Sequence, residues 1–142
     1  MIKKYRRIGV GVIWDRDRQR ILIDRRLPNG ELAEYWEFPG GKIEPDEDVV
    51  TCIKRELLEE LAIIVGVGDH LITVNHEYET MRVSLIVHHC THLSGEPQAI
   101  ASSEIRWVTI DELDGYRLPA ANYQIVRALQ SFALKPEQEK FL

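Results

Sequence analysis

The sequence predicts one α+β domain, and three observations predict it. At 142 residues, 44% hydrophobic and 29% charged, the chain can bury one core and is short for two. Several short runs are rich in β-branched and apolar residues and end in turn formers, as strands do. Two other stretches, 46–62 and 119–132, repeat apolar residues at three- and four-residue steps, as helices do. Residues 1–142 therefore read as a single domain, with the charged residues 135–142 as a frayed tail.

In chain order, Ile8–Trp14 and Arg20–Asp24 flank the polar Asp15-Arg16-Asp17-Arg18 and predict a hairpin. Gly9 and Gly11 lie inside its first strand and open no helix, so they indicate close backbone packing and not a dinucleotide-binding loop. Pro28-Asn29-Gly30 marks a turn, and the aromatic stretch Trp36-Glu37-Phe38-Pro39 runs into a bend at Gly40-Gly41. Between Asp46 and Ala62, Val50, Ile53, Leu57 and Leu61 form the core stripe of a helix. Leu71–Val74, Met81–Cys90 and Glu104–Val108 read as strands, with Gly95-Glu96-Pro97 closing the second. Asp111 is expected to cap a short helix through Leu113, and Pro119 to open a longer one buried through Ile125, Val126, Leu129 and Phe132.

Composition narrows the function. A net charge of −5 disfavours duplex nucleic acid as a partner, because a protein that wraps a duplex presents a basic face to the phosphates. No apolar run is long enough to span a bilayer, and the first residues lack the apolar core of a secretion signal, so a cytoplasmic protein without a membrane partner is expected. Two cysteines, Cys52 and Cys90, make neither a disulfide scaffold nor a four-cysteine zinc site, and read as reduced, partly buried thiols. His88, His89 and His92 have no acidic partner at metal-site spacing and read as structural. A monomer is the expected state.

The chemistry concentrates in one helix. Glu56, Glu59 and Glu60 stand at i, i+3 and i+4, so their side chains share a face opposite the core stripe. Like charges at that spacing repel, and the negative end of the helix dipole adds to the repulsion. Two readings follow: a solvated acidic face, or a site for a hard divalent cation such as magnesium or manganese, which takes carboxylate oxygens as ligands.

The spacing around these residues decides between them. Gly41, Glu47, Arg55-Glu56-Leu57, Glu59-Glu60 and Ile63 fall at the positions of a 23-residue box that resembles the signature of the Nudix hydrolases. One position departs: the family usually has Gly where this chain has Ala62, at a helix end that often needs a left-handed backbone, so Ala62 is expected to cost stability or to shift the helix terminus. The resemblance extends through Val10-Gly11-Val12-Ile13, Asp24-Arg25-Arg26, Trp36–Gly41, Gly95-Glu96-Pro97 and Leu118–Asn122, and is nearest the MutT type. It implies an α/β/α sandwich with a mixed β-sheet, in which the box forms a loop, helix and loop.

By the same resemblance the activity is hydrolysis of a nucleoside triphosphate to monophosphate and pyrophosphate, with 8-oxo-dGTP as substrate and Mg2+ or Mn2+ as cofactor. The implied metal ligands are Glu56, Glu59 and Glu60 with a backbone carbonyl from Gly40 or Gly41, and Glu56 or Glu59 serves partly as general base. Arg55 and Glu47 are implied as an orienting ion pair. Relatives place an acid near Ala101; here either Glu104 takes that role or the chain does without it. For the base, the resemblance points to Asn122, Phe38, Tyr78, Val83, Ile8 and Ala121, with Arg26 as a polar contact; read without it, Asn122 is a helix-start residue and the aromatics are core. Two alternatives stay open: another nucleotide, nucleotide sugar or ADP-ribose as substrate, and a module that binds an oxidised purine without hydrolysing it. The complete set of box carboxylates argues against the second.

Overall fold

The computed structural model describes residues 2–141. Seven strands, β1 (Lys4–Trp14), β2 (Ile21–Arg25), β3 (Trp36–Glu37), β4 (Gly40–Lys42), β5 (Ile64–Glu77), β6 (Met81–Ser94) and β7 (Glu104–Val108), form one sheet. The order is β3-β2-β1-β6-β5, with β4 also paired to β1 and β7 to β2. β1 and β6 run parallel from Lys4↔Met81 to Trp14↔Thr91, and every other pair is antiparallel. Two helices, α1 (Val49–Leu61) and α2 (Asn122–Ala133), complete an α+β sandwich with a mixed sheet.

Strand alternation sorts the core onto two faces. Val10, Val12 and Trp14 of β1 and Ile21 and Ile23 of β2 pack with Ile125, Val126, Leu129 and Phe132 of α2. Ile13 and Leu22 turn the other way and pack with Ile53, Leu57 and Leu61 of α1. Gly9 and Gly11 share that second face, where an added Cβ would come within 3.1 Å of Ile53 and of Leu57 respectively, so their bareness lets α1 lie close to the sheet.

Several expectations shift in detail. Val50 is exposed and Cys52 takes its place in the core, because the buried arc of α1 runs through Cys52, Ile53, Leu57 and Leu61. Asp111 caps nothing: the 3-10 turn Asp111–Gly115 is held by reciprocal bonds, Thr109 N–H to Glu112 Oε1 (2.9 Å) and Glu112 N–H to Thr109 Oγ1 (3.3 Å). α2 begins three residues after Pro119, whose carbonyl accepts from Asn122 N–H. β5 spans far more than Leu71–Val74, taking in Gly66-Val67-Gly68 through register shifts.

The frayed tail is replaced, over the described residues 135–141, by a short 3-10 turn (Glu137–Glu139) and a docked Phe141. That ring meets Trp14, His89 and Phe132 edge-on, with the Arg18 guanidinium 4.0 Å above it. Leu142 lies outside the described residues. No helix is long and apolar enough to cross a membrane, as far as the described residues go.

Candidate active site

Local sequence places the carboxylate helix. Asp48 starts α1 by accepting from Thr51 N–H through Oδ1 at 2.7 Å, the N-cap its short acceptor side chain suits. At the other end Ala62 adopts φ 59°, ψ 32°, so the terminus stays where Gly would put it and an alanine carries the left-handed backbone. The loop after β6 closes the last turn: Gln98 N–H donates to Leu61 O (2.9 Å) and Ile100 N–H to Glu60 O (3.2 Å).

Arg55 organises the acidic face. Its guanidinium grips Glu47 bidentately, Nε to Oε2 at 2.6 Å and Nη2 to Oε1 at 2.8 Å. Nη1 reaches Glu56 at 2.8 Å and Glu59 at 3.3 Å, and Nη2 also reaches the Lys42 carbonyl at 3.2 Å. The Arg55 hydrogen bonds hold the Glu47 carboxyl down at about 2. Glu56 is tucked under this network, whereas the Glu59 side chain is 59% exposed.

Gly40 and Gly41 form a strand, not a bend. They pair with Val10 and Gly9 of β1, and neither has a positive φ. Gly41 is bare for a different reason: a Cβ there would collide with the Glu56 carboxylate, so the helix lays that carboxylate directly on β4. The Gly41 carbonyl takes the Cys52 thiol at 3.4 Å, and burial pushes that thiol up to about 11. Both cysteines are fully buried.

Two acids that the sequence reading left without a role join the cluster. Asp24 and Glu37 are register partners across β2 and β3, on the sheet face that carries α1. Burial above all pushes the Glu60 carboxyl up to about 8, with the Glu56 hydrogen bond and the charges of Glu56, Asp24 and Glu37 adding to it. Asp24 is likewise pushed up to about 8 by burial and by Glu37, while Arg26 opposes. Burial raises Glu37 as well. The signal for Asp24 lay in the sequence: a charge continuing the apolar run Ile21-Leu22-Ile23, at a position that alternation sends into the interior.

Three carboxyls whose ionisation burial disfavours, Asp24, Glu37 and Glu60, beside a fourth, Glu56, laid against a glycine, fit a divalent cation, whose charge offsets that cost. Among the described residues no three His, Cys, Asp or Glu side chains stand in finished coordination geometry, since Arg55 holds Glu56 and Glu59.

Glu104 does not join this group. It pairs in register with Arg25, one residue out of phase with Asp24, so it stands on the opposite face, where its Oε2 accepts from Arg106 Nε at 2.6 Å. Arg26 is also committed elsewhere, its Nη1 to both Glu37 oxygens (3.3 and 3.0 Å) and its Nε to the Glu31 carbonyl.

The α2 face gathers the other predicted positions. Phe38, Val83 and Ala121 are core there, with Ile8 and Tyr78 packed against them. Ala121 N–H donates to the Tyr78 hydroxyl at 3.1 Å. Asn122 is buried and caps nothing; its Oδ1 accepts from Phe38 N–H at 3.3 Å. Asn122 and Glu56 thus bear on the two ends of one segment, Phe38–Gly41.

Comparison with known proteins places this arrangement. A model of the NUDIX domain family matches residues 9–128. The chain belongs to the Nudix family. Among Nudix relatives, the CTP pyrophosphohydrolase of Escherichia coli (strain K12) is 32% identical over 86% of this chain and 90% of its own. The 8-oxo-dGTP diphosphatase of Haemophilus influenzae is 31% identical over 91% of this chain and 94% of its own. The crystal structure of the MutT protein from Methanosarcina mazei Go1 superposes with a TM-score of 0.84 at 27% identity, covering 95% and 99% of the two chains. The chain is therefore a Nudix pyrophosphohydrolase acting on a nucleotide.

Proposed function

We propose that this Nudix enzyme hydrolyses 8-oxo-dGTP to 8-oxo-dGMP and pyrophosphate in the cytoplasm, with Mg2+ or Mn2+. The observation that carries the reading is Asn122. Its carbonyl oxygen accepts from Phe38 N–H, and its NH2 donates to no group among the described residues, beside an apolar, aromatic face. Such a donor complements the O6 acceptor of a guanine edge, where cytosine presents an amino donor instead.

Glu56, Glu59 and Glu60 would hold the metal. When bound, a divalent ion neutralises phosphate charge and makes water a nucleophile at neutral pH. Arg55 fixes Glu56 against Gly41 and anchors the helix to Glu47 and to the Lys42 carbonyl. Glu59, held only by a 3.3 Å contact to Arg55, is the carboxylate freest to take a proton from attacking water. Phe38, Val83, Ile8, Ala121 and Tyr78 supply the dry surface against which a base lies.

A second reading, CTP as the preferred substrate, is favoured by the relative from Escherichia coli that bears that name. A hydrolysis panel of 8-oxo-dGTP, the four normal dNTPs, CTP and ADP-ribose, with products resolved, separates the two. A clear preference for 8-oxo-dGTP is expected. A preference for CTP installs the second reading, and equal, slow turnover of every member overturns both.

A further inference from the structure

The site as described uses Glu56, Glu59 and Glu60 and leaves the most deeply buried acid beside them without a task. Asp24 is 7% exposed, and its Oδ1 is enclosed with no hydrogen-bond partner among the described residues. An unpartnered carboxylate oxygen in the interior is costly and is retained only where something charged or polar meets it. The protein's own cation does not: Arg26 gives its guanidinium to Glu37 and to the Glu31 carbonyl.

Register fixes where this oxygen stands. Asp24 pairs with Ile105 of β7, which packs against the α1 core, and follows by two residues Leu22, which is part of that core. Its side chain therefore lies on the helix side of the sheet. The loop 98–103 joins the same corner from both ends, Ile100 N–H to Glu60 O at 3.2 Å and Ser103 N–H to Arg25 O at 2.9 Å. Backbone bonds thus tie the residue next to Asp24 and Glu60 itself to one short loop.

We propose that Asp24 is a further metal ligand of this site, giving a carboxylate oxygen to a magnesium or manganese ion that it shares with Glu60. Glu37, its register partner, is neutralised by Arg26 and lines the same corner without being needed as a ligand. The proposal rests on the metal-dependent reading above and adds to it an acid from β2, outside the box.

The test is metal binding by the full chain, followed by Mn2+ titration with electron paramagnetic resonance, in wild type, Asp24→Asn and Glu60→Gln. Asp24→Asn is expected to weaken Mn2+ binding by on the order of tenfold or more, or to lose one equivalent of ion, while melting at or above the wild-type temperature without metal. Wild-type affinity and stoichiometry in Asp24→Asn, with binding lost in Glu60→Gln, overturn the role of Asp24 and leave the site reading intact. A wild-type chain that binds no Mn2+ overturns both. Should Asn fail to fold at this position, carboxyl resonances of 13C-aspartate-labelled wild type decide: Asp24 is expected to shift on adding Mg2+ while the exposed Asp111 and Asp114 stay still, and an unmoved Asp24 resonance sinks the proposal.

Discussion

Asn122 Oδ1 accepts the backbone N–H of Phe38 at 3.3 Å, joining the first turn of α2 to the segment between β3 and β4 across 84 residues of chain. The bond engages the oxygen end of the amide and leaves the NH2 end without a partner among the described residues. Asn122→Ala removes both the anchor and the donor, and a site built to bond one edge suffers most when its partner goes unpaired. A loss of about 2 to 4 kcal/mol in kcat/KM for 8-oxo-dGTP is expected, with a smaller loss for CTP, whose base presents an amino donor in place of O6. Measuring both substrates decides it, and parallel losses would withdraw the base-reading role.

Glu60→Gln should lower kcat by a factor on the order of a hundred or more, because on the proposed reading a ligand charge is lost from the metal site. The fold should survive. Glu60 sits among Glu56, Asp24 and Glu37, so without metal the amide relieves repulsion and the variant should melt no lower than wild type. Rates with magnesium and melting curves without it check the two halves separately; an unchanged rate would remove Glu60 from the site.

The parts of this architecture that the sequence reveals are those where local pattern and tertiary role coincide. The β1–β2 hairpin announces itself through β-branched runs around a polar turn, and α1 through its 3.6-residue period and its acidic face. Roles that depend on which strands pair were hidden. Glu104 faces away from the carboxylates because it is in register with Arg25, and Asp24 faces toward them because it is in register with Ile105. β5 was legible only in its middle, since Gly66 and Gly68 weaken the strand signal and its register against β6 shifts nearby. Phe141, one aromatic among charges, carries no period and finds its place only through Trp14, His89 and Phe132.

Ala62 offers a stability test away from the ligands. It holds φ 59° while its N–H bonds Leu58 O at 3.1 Å, a conformation in which a Cβ is strained and glycine is not. Ala62→Gly should stabilise the protein by about 0.5 to 1 kcal/mol, the gain being trimmed by the greater freedom of glycine in the unfolded chain. The melting temperature should rise by about 1 to 4 °C with kcat unchanged. A lower melting temperature would mean that the methyl group contributes packing that outweighs the strain.

The acid side of the stability profile should carry the signature of His89. Its ring is buried against Trp14, Phe132 and Phe141, and its Nδ1 accepts from Trp14 Nε1 at 3.0 Å, which requires that nitrogen to be unprotonated. Burial holds the ring down at about 4; Asp69 opposes, while Lys135, His88 and Arg18 reinforce the effect. Above the ordinary histidine value, near 6.5, the ring is neutral in both folded and unfolded chains and its full contribution is present. As pH falls from there toward 4 the unfolded chain takes the proton first, so stability drains away, and below 4 the loss is complete. With allowance for partial solvent screening, the loss should be on the order of 2 kcal/mol. His89→Asn keeps an acceptor near the Nδ1 position and removes the titration. Urea unfolding of wild type and variant at pH 7 and pH 4.5 should show the variant losing less stability between the two, and equal losses would assign the acid sensitivity to other groups.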